Sequence, residues 1–578
     1  MFIALVIFLS HSVSKLRSLG LTNHNQMYSE RFRRWSITTS VLVCLSAAYA
    51  SCAWGDEMPA PARSNASEPA SDQAKPDLPK FDILEYEVEG NTVLSAMEIE
   101  RAVYPHLGYG YTMNNVEAAR LALERHYQES GYLTVSVDVP EQSIENGVVR
   151  LRVLEGKVGR VRVVGSRYYE LGKIKEKVSE LKPGTVPYFP KVQEQLAGLN
   201  RNQDRRVTPS LKPSRSPGKV DIDLKVDDHA PFHAGIELNN RYSANTKRLR
   251  LSGFVKYDNL FQRDHSFSLN YQTAPEKLSQ VQVLSGTYLL PVGRKDSVLA
   301  VYGVHSNTDV AAIGTTGVVG KGNILGLRLI TPLRGWDGFY HSLTFGVDYK
   351  RFGETIKLLG NDALNRPISY VPFLVQYGAT VKDSKGQTQY GISGNFALRS
   401  VFGNNDAEFN AKREGATANY FYLKADVSRE QTLPKDWTLF AKFDLQWANS
   451  PLISNEQFGA GGADTVRGYL ESERFGDVGY HSTIELRSPP LTRIVAEKYT
   501  GAVNEFYGLA FVDGAVLQVK DATVGQPSKF ELLSAGLGVR LKAWKQVQVA
   551  LDLAYPFKDG SNVKKGETRA HFSLGYEY

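Results

Sequence analysis

Arg467 lies in the run GAGGADTVRGYLESERFGD, Gly459 to Asp477, a glycine-rich stretch between two segments that read as strands. A charged tip on so flexible a tether suits docking against a polar surface through charge-assisted hydrogen bonds. At its centre stand Thr465, Val466, Arg467, Gly468 and Tyr469. A second candidate is FYGLAFVDGAVL, where Phe511, Asp513 and Gly514 form an FVDG turn within an otherwise strand-like segment. Neither is a catalytic arrangement. HExxH and GxSxG do not occur, and the 11 histidines are scattered singly instead of clustering with Cys or Asp. GTTGVVGKGN, Gly314 to Asn323, has the wrong spacing for a phosphate loop and no Ser or Thr after Lys321, so it reads as a turn or outer loop. Gly459-Ala460-Gly461-Gly462 lacks the strand-to-helix setting of a dinucleotide site. The expectation is therefore a protein that is not an enzyme, with no metal site, no nucleotide and no cofactor.

What must position these residues is a long series of strands. From residue 229 to 578 the chain alternates. In WTLFAKFDLQW, Trp437, Leu439, Ala441, Phe443, Leu445 and Trp447 fall on one face, with Lys442, Asp444 and Gln446 on the other. HSLTFGVDY, LLSAGLGVRLKA and VQVALDLAY repeat the pattern. An apolar face opposite a polar, often charged one, with aromatics near strand ends, is what lipid outside and water inside demand. Dividing this region among sixteen strands leaves about 22 residues for each strand and its connection, where roughly 9 to 11 suffice to cross a bilayer. The expected fold is a transmembrane β-barrel of about 16 antiparallel strands. It closes on HFSLGYEY, with Phe572, Leu574, Tyr576 and Tyr578 on the lipid face.

Composition agrees. Tyr 30, Phe 26 and Gly 50 beside Met 5 suit pleated, half-exposed surfaces. The hydrophobic fraction of 42% is too low for a helical membrane bundle. The formal charge of +7 is spread along the chain without a basic block, which argues against nucleic-acid binding. Cys44 and Cys52 both precede the folded body, so no disulfide or cysteine-held metal is expected there.

Residues 1–55 read as a prepiece with a signal peptide. Arg31, Arg33 and Arg34 precede the apolar stretch VLVCLSAAYA, and Ala48-Tyr49-Ala50 or Ala53-Trp54-Gly55 offers the cleavage triplet. A complete signal after Met27 makes Met27 a candidate true start. Residues 56–80, rich in Pro, Ala and Ser, cannot bury a core and read as a disordered linker. Residues 81–156 then run β-α-α-β-β: ILEYEVEGNTVL, SAMEIERAVY, NNVEAARLALERHYQESGY, LTVSVDVP and NGVVRLRVLEG. Residues 157–228 are a shorter echo: VGRVRVVGS, LGKIKEKVSEL, KVQEQLAGLN and GKVDIDLKVDD.

This order, the EGNTVL opening, the GY at a helix end and the junction LEGKVGRVRVVG resemble paired POTRA domains, the periplasmic modules of an outer-membrane transporter superfamily. TVRGY on a Gly-rich approach, followed downstream by a strand carrying FVDG, resembles that superfamily's signature pair. Two POTRA-like units resemble its TpsB branch, the two-partner secretion transporters of the FhaC/ShlB kind. The resemblance implies localisation in the outer membrane of a Gram-negative bacterium with periplasmic POTRA domains. It implies export of an unfolded TpsA-like exoprotein, haemolysin- or adhesin-like, captured by the POTRA sheet edges. Outer-membrane lipid and the barrel assembly machinery, which reads the last strand, are the other implied partners. The segment around 456–477 would fold back into the lumen, with Arg467 reaching Asp513 on the wall. Some members plug the pore with a helix ahead of the POTRA pair. Residues 56–80 are Pro-interrupted with no apolar stripe, so closure by the folded-back loop alone is expected. Two alternatives stay open: an assembly factor that inserts other barrels, and a passive porin or receptor.

Overall fold

The computed structural model describes residues 79–578 apart from 294–295, 309, 314–315, 354, 359–360, 366, 493–501 and 523–526; the prepiece and nearly all of the linker lie outside the described residues. The first unit begins with β1 (Phe81–Ile83) and β2 (Glu85–Glu89), followed by α1 (Ala96–Val103). A capping box starts α1: the Ser95 side chain accepts from the Glu98 N–H, and Glu98 returns to the Ser95 N–H. After β3 (Gly108–Tyr111) comes α2 (Met113–Glu129), whose Val116, Ala119, Leu123 and Tyr127 are fully buried at helical spacing. Strands β4 (Val135–Asp138) and β5 (Val148–Glu155) complete the sheet, ordered β2-β5-β4 with β2 parallel to β5.

The second unit runs β6 (Lys157–Val164), α3 (Leu171–Lys177), α4 (Phe189–Leu199), β7 (Arg205–Pro213) and β8 (Lys219–Asp228), with sheet order β6-β8-β7. It thus repeats the β-α-α-β-β order in full, where the sequence reading had one strand at its end. The strand passed over is β7, RRVTPSLKP. Its two prolines and basic residues argue against a strand, yet they suit an edge, which is where β7 lies. The short β3, GYGY, pairs only with β1 and was likewise not read.

Sixteen antiparallel strands follow and close on themselves. Neighbours in sequence are neighbours in the wall. The eighth strand comes in two pieces, Ile368–Tyr370 and Pro372–Asp383, broken at Val371. There the side chain of Asn404 substitutes for a strand partner, accepting from the Val371 N–H at 2.8 Å and donating to its carbonyl at 3.2 Å. The alternation is as expected: Ile484, Leu537 and Leu553 are exposed on the outer face, while Glu485, Asp513 and Asp552 are buried inside. Closure joins the last strand, Arg569–Glu577, to the first, Phe232–Asn239, by pairs running from Ser573↔Asn239 to Glu577↔Gly235. Past Asn239 the backbone ladder thins to one long bond, from the Asn240 N–H to the Phe572 carbonyl at 3.4 Å. Asn240 continues it with its side chain, accepting from the Phe572 N–H at 2.9 Å and donating to the Ala570 carbonyl at 2.7 Å. Leu574 and Tyr576 are exposed on the outer face and Phe572 is half-buried on it; Tyr578 extends the pairing through its N–H to the Ala234 carbonyl at 2.8 Å.

Candidate functional site

The segment between the eleventh strand (Thr438–Ala448) and the twelfth (Val478–Arg487) turns back into the barrel. Val466, Arg467 and Tyr469 are buried against the inner wall. The wall behind them is the thirteenth strand, Val503–Gln518, which runs without interruption through FVDG. The expected turn at Phe511–Gly514 is thus a stretch of continuous strand. Strand parity then divides the motif. Phe511 and Asp513 point inward, whereas Gly514 lies on the opposite face beside the Leu533 side chain and does not reach the loop.

Arg467 and Asp513 meet through a two-pronged ion pair: Nε donates to Oδ2 at 2.7 Å and Nη2 to Oδ1 at 2.8 Å. The backbone N–H of Arg467 adds a third bond to Oδ2 at 3.1 Å. The guanidinium carbon lies 3.5 Å from the Phe511 ring centroid, so the cation stacks on an aromatic face while its edge is spent on the carboxylate. Nη1 is used as well, donating at 2.8 Å to Glu485 on the twelfth strand. Asp552 of the fifteenth strand (Val547–Pro556) stands 3.9 Å from the same nitrogen. Arg487 and Arg540 hold the outer flanks of Glu485 and Asp552, at 2.8 Å each. Three arginines thus face three carboxylates, and the buried cluster is balanced.

The next two residues fix the tip. Gly468 has φ +92°, and a Cβ there would lie 3.2 Å from the Ala554 Cβ; backbone conformation and space both ask for glycine. Its N–H donates to Nε2 of His571 on the last strand at 2.8 Å. Tyr469 donates its hydroxyl to the carbonyls of Lys558 at 2.8 Å and Leu533 at 3.1 Å. Val466 and Tyr469 pack with Ala515, Leu517 and Leu532, a small apolar cluster inside the barrel.

Two further anchors hold the loop's ends, and neither was read from sequence. Asp477, fully buried, accepts from Arg413 at 2.7 Å and from the N–H groups of Leu452 at 2.9 Å and Lys520 at 2.7 Å. Glu456 accepts from Lys350 at 2.6 Å and Tyr422 at 2.7 Å. Arg413 belongs to the connection between the ninth strand (Gly386–Ala397) and the tenth (Phe421–Thr432). That connection carries a helix, α5 (Asp406–Lys412), whose Phe409 is buried with Tyr370, Tyr420 and Leu452. The segment around α5 is thus clamped to the folded-back loop, a contact that the sequence did not mark. Glu485 and His571 were legible only by parity within their strands, since nothing local marks them as partners of a residue in a loop.

Family models match the chain over residues 218–541 as "haemolysin secretion/activation protein ShlB/FhaC/HecB", and over residues 81–156 as a POTRA domain of ShlB type. The chain belongs to the ShlB/FhaC/HecB family. It is an outer-membrane transporter of two-partner secretion, with its POTRA region in the periplasm. The heme/hemopexin transporter protein HuxB of Haemophilus influenzae is 21% identical over 429 residues, 72% of this chain and 73% of that protein. CdiB from Escherichia coli shares the fold with a TM-score of 0.62 at 16% identity, covering 88% of this chain and 93% of that one. BamA from Haemophilus ducreyi lacking POTRA domains 1–3 aligns with a TM-score of 0.52 at 15% identity, over 86% and 100%. The fold is thus shared with both CdiB and BamA, and the family match decides for transport.

Proposed function

We propose that this transporter exports one unfolded haemolysin- or adhesin-like exoprotein, and that the docked loop is the element whose displacement opens its path. The POTRA units capture the cargo by strand addition. Strands β4 and β6 each pair with a single neighbour, which leaves main-chain groups for an extended segment to take up. The observation that carries the reading is the Arg467 cluster. A conduit for a polypeptide must be closed at rest, and the loop tip is held across the interior by charge pairs that can re-form after passage. No step in this reading is chemical, so no catalytic residue is assigned. During biogenesis the assembly machinery reads the outward aromatic row Phe572, Tyr576 and Tyr578, and outer-membrane lipid solvates the wall.

The test compares surface and culture-medium proteins of a strain carrying the transporter with those of a strain lacking it. Loss of one large exoprotein, with other barrel proteins at normal levels, is the expected result. Depletion of many unrelated barrels would transfer the protein to assembly, and no change in any secreted protein would leave a porin or receptor.

A further inference from the structure

Where the second periplasmic unit meets the barrel, three side chains from three segments converge. Asp204 lies in the turn before β7, His233 at the start of the first barrel strand, and Asp258 near the end of the second, Arg250–Leu260. Register explains the meeting. His233 pairs with Lys256, so strand alternation puts Asp258 on the same face two residues on. The His229 N–H, bonded to the Asp204 carbonyl at 2.8 Å, folds the connection so that Asp204 comes to rest over the strand pair.

The donor atoms are close. His233 Nε2 is 3.0 Å from Asp204 Oδ1 and 3.7 Å from Asp258 Oδ2, and one donor atom from each of the three residues falls within 4.8 Å of the others. Ligands at ~2.0–2.2 Å around a tetrahedral zinc ion stand roughly 3.3–3.6 Å apart, which the two measured separations bracket. One imidazole and two carboxylates make a borderline N/O set. It suits zinc or a neighbouring transition ion better than calcium or magnesium, which take oxygen ligands in larger number. Lys256, 2.7 Å from Asp258, neutralises that carboxylate in the absence of a cation and is long enough to swing aside. Asp204 is buried while His233 and Asp258 are half-buried, so the site is held by the fold yet reachable from the periplasm.

We propose that Asp204, His233 and Asp258 bind a divalent transition-metal ion, zinc first, that clamps the second periplasmic unit to the first barrel hairpin, with water as the fourth ligand. Polar contacts on two periplasmic turns also bridge the joint: Lys177 and Arg205 with Asp264, the Tyr168 carbonyl and Glu170 N–H with Gln262, and Arg201 with Asp296. A metal there sets the stiffness of the hinge past which cargo moves from POTRA sheet to pore.

The experiment uses the full chain without a histidine tag, in detergent, stripped with chelator and titrated with zinc chloride against a chromophoric chelator. The expected result is one zinc per chain at micromolar or tighter affinity, weakened at least tenfold by His233→Ala and by Asp258→Asn. Asp264→Asn, at the same joint but outside the trio, should leave the affinity unchanged. Heat-modifiable migration certifies that each barrel is folded, and His233→Gln replaces His233→Ala should the latter fail that check. Cobalt supplies a second reading, since a low-coordinate site gives visible absorption that the His233 variant should lose. Absence of zinc at tens of micromolar, or equal binding by the wild type and the trio variants, would overturn the proposal.

Discussion

Replacing Arg467 by alanine should abolish loop docking without unfolding the barrel. The side chain is 3% exposed and its partner Asp513 1%, so the pair is shielded from water although the barrel interior is polar. In Arg467→Ala, Asp513 keeps only the backbone N–H of residue 467 and has no cation left, while Glu485 retains Arg487. A stranded buried charge of this kind costs roughly 3–5 kcal/mol. Asp513→Ala is milder, because Arg467 still has Glu485 at 2.8 Å; losing the charged hydrogen bonds to Asp513 costs about 1.5–3 kcal/mol. Since ~1.4 kcal/mol is a factor of ten, the docking equilibrium constant should fall a hundredfold or more for Arg467→Ala, and about ten- to a hundredfold for Asp513→Ala. The double variant should be no worse than Arg467→Ala, as the two act as a unit. The assay is exoprotein in the medium per folded barrel, the latter counted by heat-modifiable migration, with loop docking followed by protease cleavage between Gly461 and Tyr469. Wild-type export in both single variants would refute the reasoning. Loss of heat-modifiable barrel in Arg467→Ala would move the cluster's role from gating to assembly.

Gly468→Ala should also undock the tip, because a positive φ and a Cβ pressed on Ala554 together cost about 1–3 kcal/mol; protease cleavage of the loop should rise and export should drop. Removing the last eight residues, HFSLGYEY, strips the fifteenth strand of most of its partner and abolishes closure onto the first, so no heat-modifiable species should form. In the second periplasmic unit, hydrogen bonds from Arg162 and Lys212 hold the Asp223 carboxyl down at about 2. A depressed folded-state value adds stability above the unfolded pKa of about 4, and that stability drains away as pH falls from there towards 2. Thermal melts of a fragment spanning 81–228 should show this loss in the wild type and a flatter profile in Asp223→Asn.

The barrel was legible because lipid outside and water inside impose a two-residue period that survives in every strand, from Trp437 to Tyr578. The helices of the first periplasmic unit were legible for a related reason, their buried positions recurring at helical spacing. Strands β3 and β7 were missed because their prolines and glycines serve edges, where ladder pairing is one-sided. In the site, Arg467 and Asp513 stood out through motif chemistry. Glu485, Asp552, His571 and Asp477 look like any other polar inward residue, and their roles depend on which strands the closed wall brings beneath the tip. Gly514 shows the converse: a motif residue adjacent in sequence to Asp513 but on the other side of the wall. The trio of Asp204, His233 and Asp258 was invisible for the same reason, since each stands alone in sequence and only the joint assembles them.

The docking pocket for the loop tip has its members spread late along the chain: Glu485, Asp513, Leu533, Asp552 and finally His571, on the final strand. During synthesis the loop is made before most of its own seat. Gly468 can find its acceptor only when the final strand has been laid into the wall, and that strand reaches its place by pairing with both the fifteenth strand and the first. A truncated or misregistered chain is therefore expected to leave the tip without its Gly468 acceptor, a state that protease cleavage of the loop would report.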